Sequence, residues 1–273
     1  MSANLASRLK SELIVRYSLS PSDQWLNSFL ASIHNLSVPL PALTSTANFR
    51  LLTTDIRTSL TAGGDHVFPS SLGDVNTKEA ILAVDAPVQV LDIQDTSTSK
   101  WSQIEAIERF ERGEEIRGRE VIRNVPGATG DDESSHGEHD QTSTARPGPF
   151  ASNQIGTSEK GSTGPHKLLL QDAAGTKMWA FEVERIDRIT IINSNPPVLG
   201  SHGSSSQTTV EGMQVGCKLM LKKGTKVRRG LIMLSPVTAT VMGGKVEIWD
   251  KKWRESRKAM LQQELERENA CNG

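Results

Sequence analysis

The sequence predicts an α+β protein: a three-helix bundle, then a five-stranded β-barrel with a long insertion between its first two strands, then a C-terminal helix. Three observations point there. Apolar residues recur at helical spacing through the first ~60 residues. Short β-branched or apolar runs punctuated by Gly and Pro follow. A long tract lacking large apolar residues then separates the first such run from the rest. Residues 1–62 read as the bundle and 80–265 as the barrel domain, with the insertion at about 111–164 and a second polar loop at about 193–210.

The first helix carries Leu5, Leu9, Leu13 and Ile14 with charges between them. Ser20-Pro21-Ser22-Asp23 supplies the start of the second: Ser20 to cap, Pro21 for the first helical position, Asp23 favoured in the first turn. That helix presents Trp25, Leu26, Phe29, Leu30 and Ile33. After Val38-Pro39-Leu40-Pro41, a third helix is indicated by Phe49, Leu52, Ile56 and Leu60. Helices this short do not hold alone in water and must bury their stripes together.

Strands are expected near 88–93, 166–171, 177–183, 217–222 and 227–241, with Ala174-Gly175 turning the hairpin between the second and third. Trp101 to Phe110 reads as a helix with Trp101, Ile104, Ile107 and Phe110 on one side. Thr129 to Pro165 is dominated by Gly, Ser, Thr, Asp, Glu, His and Pro, with Phe150 and Ile155 almost its only large apolar residues, a composition that cannot bury a core and reads as disordered. Five strands closed into a barrel and followed by a helix is the oligonucleotide/oligosaccharide-binding (OB) architecture. The closing helix starts near Lys245 with Trp249, Trp253 and Met260 as its apolar stripe.

Aromatic residues are only 4% of the chain and the formal charge is −1, so any attraction to nucleic acid must come from a local face. Cys217 and Cys271 fit no zinc or redox spacing and suit a reducing compartment. No apolar run approaches the ~18 residues that cross a bilayer, and Lys10, Glu12 and Arg16 interrupt any signal-peptide core. The expectation is a soluble intracellular protein.

Candidate binding residues fall in four groups. Lys218, Lys222, Lys223, Lys226, Arg228 and Arg229 form a basic run; Lys222 to Arg229 are either phosphate contacts or a solvated strand face with edge-protecting lysines. The run contains no Phe, Tyr or Trp on which bases would stack. Within the insertion, Arg119, Val121, Ile122, Arg123 and Val125 form its one apolar patch, which either extends the sheet or docks on a partner. On the closing helix, Trp249 and Trp253 share a face; one is assigned to packing and the other to anchoring a partner. Trp179 and Phe181 share one face of their strand, as a base-stacking pair or, the favoured reading, in the barrel core.

No catalytic constellation emerges: there is no phosphate-cradling Gly loop, no Ser-His-Asp arrangement in a credible context and no paired carboxylates on an ordered frame. His136 and His139 lie among acids in a low-complexity tract, which does not make a specific metal site; Ser134 and Ser135 beside them are candidate phosphorylation targets. No cofactor is expected.

Three segments carry a family resemblance. Phe49-Arg-Leu-Leu-Thr-Thr-Asp-Ile-Arg-Thr-Ser-Leu60 holds a Leu-Leu-x-x-Asp-Ile-Arg core. Val88 to Arg112 includes Trp101-Ser-Gln-Ile104. Gly216-x-Lys-Leu219, Arg229-Gly-Leu-Ile-Met-Leu-x-Pro236 and Val241-Met-Gly-Gly-Lys-Val-Glu247 complete the set. In this order they resemble the RecQ-mediated genome instability protein 1 family. The resemblance implies a non-catalytic, nuclear OB-fold scaffold that binds topoisomerase III and a RecQ-family helicase. It implies stimulation of decatenation and dissolution of double Holliday junctions in DNA repair, recombination and replication. The inserted loop would reach towards the topoisomerase gate, with DNA handled through the complex. Two departures stand out. Ser235 precedes Pro236 where animal members place Lys, so that Lys contact is not carried over. The chain ends at Gly273 without the second OB domain of long animal members, so it is similar to the short fungal form and no small second OB subunit is expected. The rival class is a free-standing OB protein binding single-stranded nucleic acid.

Overall fold

The computed structural model describes residues 2–33, 38–63, 66–112, 162, 164–191 and 212–272. The insertion patch 119–125, the acidic tract with His136 and His139, and the loop at 193–210 lie outside the described residues.

The helical region comprises α1 (Ser2–Tyr17), α2 (Asp23–Ala31), α3 (Leu40–Thr53) and the single turn α4 (Ile56–Ser59). Its core joins Leu9, Leu13, Leu26, Phe29, Leu51 and Ile56, all nearly or wholly out of water. Full burial of each such side chain contributes roughly 2 kcal/mol, which is how helices too short to persist alone become stable together.

Two boundary expectations are corrected. The cap of α2 is Ser22, whose Oγ accepts the Trp25 amide at 3.3 Å, not Ser20. Residues 20–22 are extended instead: Ser22 N donates to Ser59 O (2.9 Å) and Thr61 N to Ser20 O (2.9 Å), so Pro21 sits opposite Leu60 rather than opening the helix. The third helix, moreover, begins at Leu40 and ends at Thr53, and Phe49 is 68% exposed. The Asp55 carboxylate accepts the Arg57 amide and restarts the chain as α4, so the helical phase is reset between Leu52 and Ile56. Leu43, Ala47 and Leu51 form the buried stripe before that break.

The β domain is a curled eight-stranded sheet in the order β1-β6-β7-β4-β3-β2-β5-β8. Its strands are β1 (Ala80–Ile81), β2 (Ala86–Asp95), β3 (His166–Gln171), β4 (Lys177–Glu182), β5 (Lys218–Leu221), β6 (Lys226–Arg228), β7 (Leu231–Leu234) and β8 (Ala239–Gly243). Helix α5 (Lys100–Glu111) follows β2, and α6 (Glu247–Asn272) closes the chain. Every pairing is antiparallel except β4 with β7. The strand expected at 227–241 is three strands, broken where Arg229 and Gly230 take positive φ (49° and 74°) and where Thr238 N turns back to Ser235 O (3.1 Å).

Inward residues of the sheet, among them Val88, Val90, Leu168, Leu170, Leu219 and Ile232, form one core. On β4 the inward residues are Met178, Ala180 and Glu182, which reverses the core assignment of Trp179 and Phe181. Alternation fixes that those two aromatics share a face but not which face. The curled interior admits Ala180 and Met178, while Trp179 stands half-buried outside with the Lys167 ammonium 4.3 Å from its ring centre.

Helical region and sheet meet over β2 and β5. Met220 and Ala173 belong to the helical core. Gln89, wholly buried on β2, accepts the Ile56 amide (3.0 Å) and donates to Asp55 (3.3 Å), satisfying a buried amide at the start of α4. Residues 86–90 are therefore buried on both faces.

Candidate partner interface

Helix α6 is placed by its first turn. Val246 N donates to Val215 O (3.1 Å) and the Asp250 carboxylate accepts Val215 N (2.9 Å). Gly216 and Gly244 let the backbones meet: at Gly244 (φ +81°) a Cβ would lie 2.3 Å from Leu52 O, and at Gly216 (φ +89°) 2.2 Å from Val246 N. Further along, the inward positions are Asp250, Trp253, Arg257 and Leu261, whereas Met260, expected in the apolar stripe, is 41% exposed. Trp253 is the packing tryptophan: its Nε1 donates to Asp92 (2.7 Å) and its ring packs against the barrel core. The Arg257 guanidinium lies 4.6 Å from that ring and donates to Ile93 O and Gln103 Oε1, both at 2.9 Å. Lys258 bridges to Glu108 and Glu111 and Lys100 to Glu264 and Glu268, fastening α6 to α5.

Trp249 is half-buried and walls a groove of about 510 Å³ between α6, the α4 turn and the outer face of β2–β4. A register shift between Val90 and Asp92 turns Leu91 outward onto its floor beside Leu169. A second groove, about 410 Å³, runs between the start of α5 and α6 past the 66% exposed Trp101. The two expected roles of the tryptophan pair thus fall to different residues, with Trp249 left as the candidate anchor.

The basic run divides. Lys222 and Lys223 sit exposed on the turn between β5 and β6, and Lys226 and Arg228 flank the inward Val227 on β6. Arg228 pairs with Glu79 at 3.0 Å, and Arg229 is exposed with its amide on Thr77 O (3.1 Å). Lys218 does not belong to this face. It is 2% exposed, its ammonium donates to Gly216 O (2.8 Å), and burial lowers its pKa to about 8.

One polar cluster escaped the sequence reading. His166 Nδ1 faces Glu182 Oε2 at 2.7 Å, and His166 Nε2 faces Ser162 Oγ at 3.2 Å. Glu182 also accepts the amides of His166 (3.0 Å) and Ile186 (2.7 Å). The signal was available: His166 alternates with inward Leu168 and Leu170, and Glu182 with Met178 and Ala180. The Ser-His-Glu order imitates a nucleophilic triad, but the imidazole is wholly buried and neither groove opens on it. Ser162 is further held by its amide on Ile191 O (3.0 Å) and by Thr190 Oγ1 on its carbonyl (2.8 Å). The cluster locks the chain where it re-enters the sheet. Among the described residues no group of three His, Cys, Asp or Glu is arranged to hold a metal, and no helix is long and apolar enough to cross a membrane.

Comparison with known proteins agrees with this architecture. The description "RMI1, N-terminal helical domain" matches residues 14–59, and "RMI1, N-terminal OB-fold domain" matches 68–200 and 206–257. RecQ-mediated genome instability protein 1 of Schizosaccharomyces pombe is 26% identical over 207 residues, covering 74% of this chain and 72% of that protein. With both domains matched in order over more than half its length, the chain belongs to the RMI1 family.

Proposed function

We propose that this chain is a non-catalytic genome-stability scaffold of the nucleus that binds topoisomerase III and a RecQ-family helicase. It stimulates decatenation and dissolution of double Holliday junctions. The observation that carries this reading is the ordered match of both family domains, together with a relative whose name ties it to RecQ-mediated genome instability. The surface is of the kind a scaffold needs: a half-buried tryptophan beside an apolar-floored groove is a form that partner residues fill. The insertion that leaves the end of α5 and returns at β3 is the segment assigned to the topoisomerase.

The test is co-purification of the full chain with topoisomerase III and RecQ helicase of the same organism, followed by decatenation of interlinked DNA circles. Stable co-elution and faster decatenation are expected, with the acceleration lost when residues 113–125 are deleted. Absence of co-elution overturns the scaffold reading. Unchanged stimulation by the deleted chain overturns the role of the insertion. Against the rival reading, the exposed lysines of the β5–β6 turn have no aromatic among them, so they attract phosphate without a stacking platform.

A further inference from the structure

The groove beside Trp249 carries a charge asymmetry that says what would fill it. Its floor is apolar, from Leu91, Leu169 and the Trp249 ring. Its rim holds Arg57, Lys177 and Lys252, all exposed, and among the described residues no carboxylate pairs with any of them. The groove's own carboxylates are occupied. Asp55 accepts the Arg57 amide (3.1 Å) and Gln89 Nε2 (3.3 Å), while Asp92 accepts Trp253 Nε1 (2.7 Å), Ile93 N (2.9 Å) and Gln94 Nε2 (3.1 Å). Elsewhere on α6 the lysines are paired: Lys251 reaches Glu255 and Lys258 reaches Glu108 and Glu111, which leaves Lys252 distinctive.

We propose that this groove is a docking site for an acidic peptide segment of a partner protein, which inserts one large apolar side chain beside Trp249. Its carboxylates pair with Lys177, Lys252 and Arg57 on the rim. The apolar insertion supplies most of the affinity, because a desolvated aromatic-lined pocket is where binding energy concentrates. The rim cations supply selectivity and speed of encounter, because exposed ion pairs steer more than they hold. The rim cations would also attract phosphates, so a single-stranded oligonucleotide is the competing occupant that the experiment tests. The site is independent of which protein carries the segment, so it stands or falls separately from the topoisomerase assignment.

The experiment selects a phage-displayed library of random dodecapeptides on the full chain and, in parallel, on the Lys177→Glu/Lys252→Glu chain. Both rim residues are exposed, so folding is preserved and checked by circular dichroism. The expected winners on the unaltered chain carry Asp or Glu around a single Trp, Phe or Leu. A labelled synthetic winner should bind at least tenfold more weakly to the double variant and to Trp249→Ala. It should bind unchanged to Lys222→Glu/Lys223→Glu, whose residues lie outside the groove. Equal enrichment on both chains, or winners that are neutral or basic, overturns the proposal. So does displacement of the synthetic winner by a single-stranded oligonucleotide that itself binds the unaltered chain more tightly.

Discussion

His166 and Glu182 face each other inside the barrel at 2.7 Å, with 0% and 2% of their side chains exposed. The pair pins β3 to β4 at the point where the chain returns from the insertion. Burial pushes the Glu182 carboxyl upward, but the imidazole and the amides of Ile186 and His166 outweigh it, and its pKa falls below the ordinary 4.5. A carboxyl depressed in the folded state stabilises the fold above its unfolded pKa and ceases to do so as acid protonates it. Replacing Glu182 by Ala strands the buried ring and two amides, and should lower stability by about 3 kcal/mol at neutral pH. Urea unfolding followed from pH 7 to pH 3 checks both parts: the loss at pH 7, and a shallower acid decline in the variant than in the parent.

Lys218 presents the opposite case, a cation held out of water with a single carbonyl for company. Burial drives its pKa down from 10.5 to about 8, partly countered by Cys217 and Asp55. The folded state thus gives up this proton before the unfolded state does, and stability from this group rises with pH between about 8 and 10.5. Lys218→Met should stabilise the protein at pH 7 by roughly 1–2 kcal/mol, less than the shift alone converts to because Gly216 O loses its donor. Denaturation midpoints at pH 7, 9 and 10 decide it: the gain should shrink as the pH rises.

The junction between α6 and the helical region rests on Gly244. An alanine there would place Cβ 2.3 Å from the Leu52 carbonyl at a φ of +81°, combining a backbone clash with left-handed strain. Gly244→Ala should lower Tm by about 5 °C or more. Gly224→Ala is the control: its φ is +92° but no atom lies within 4 Å of the added Cβ. That substitution should cost only the ~1 kcal/mol of backbone strain.

The two cysteines should differ sharply in reactivity. Cys217 is buried in the barrel core, and burial lifts its pKa to about 11, so its thiolate is scarce. Cys271 is exposed near the end of α6. Brief iodoacetamide treatment followed by peptide mass mapping should label Cys271 and leave Cys217 unmodified until urea unfolds the domain. Early labelling of Cys217 would contradict its place in the core.

The helices, the hairpin at 166–182 and the closing helix were legible because each carries its own period and its own stops. The phase of a pattern was less so. One helical period carried through the Thr54–Asp55 break points Phe49 inward, but a capping carboxylate resets the phase there. Alternation places Trp179 and Phe181 on one face, but a period of two carries no sign, and the face they share is the outer one. Lys218 stood in a basic run with its neighbours yet points elsewhere, because the bundle buries both faces of the sheet at that point.

The kind of protein is written locally: periodicity, capping and turn residues are short-range effects, and the family motifs are strings of such residues. The tertiary structure alone decided which charges remain free and which aromatics face a partner. Exposure is a property of what packs against a residue, and those neighbours come from far along the chain. Trp249 became the candidate anchor because Trp253, four residues on, found Asp92 on a distant strand. The basic run lost Lys218 to the core because the helical region covers β5, leaving Gly216 O to accept its ammonium. Lys222, Lys223 and Lys226 of that run stay exposed, and among the described residues no carboxylate pairs with their ammonium groups.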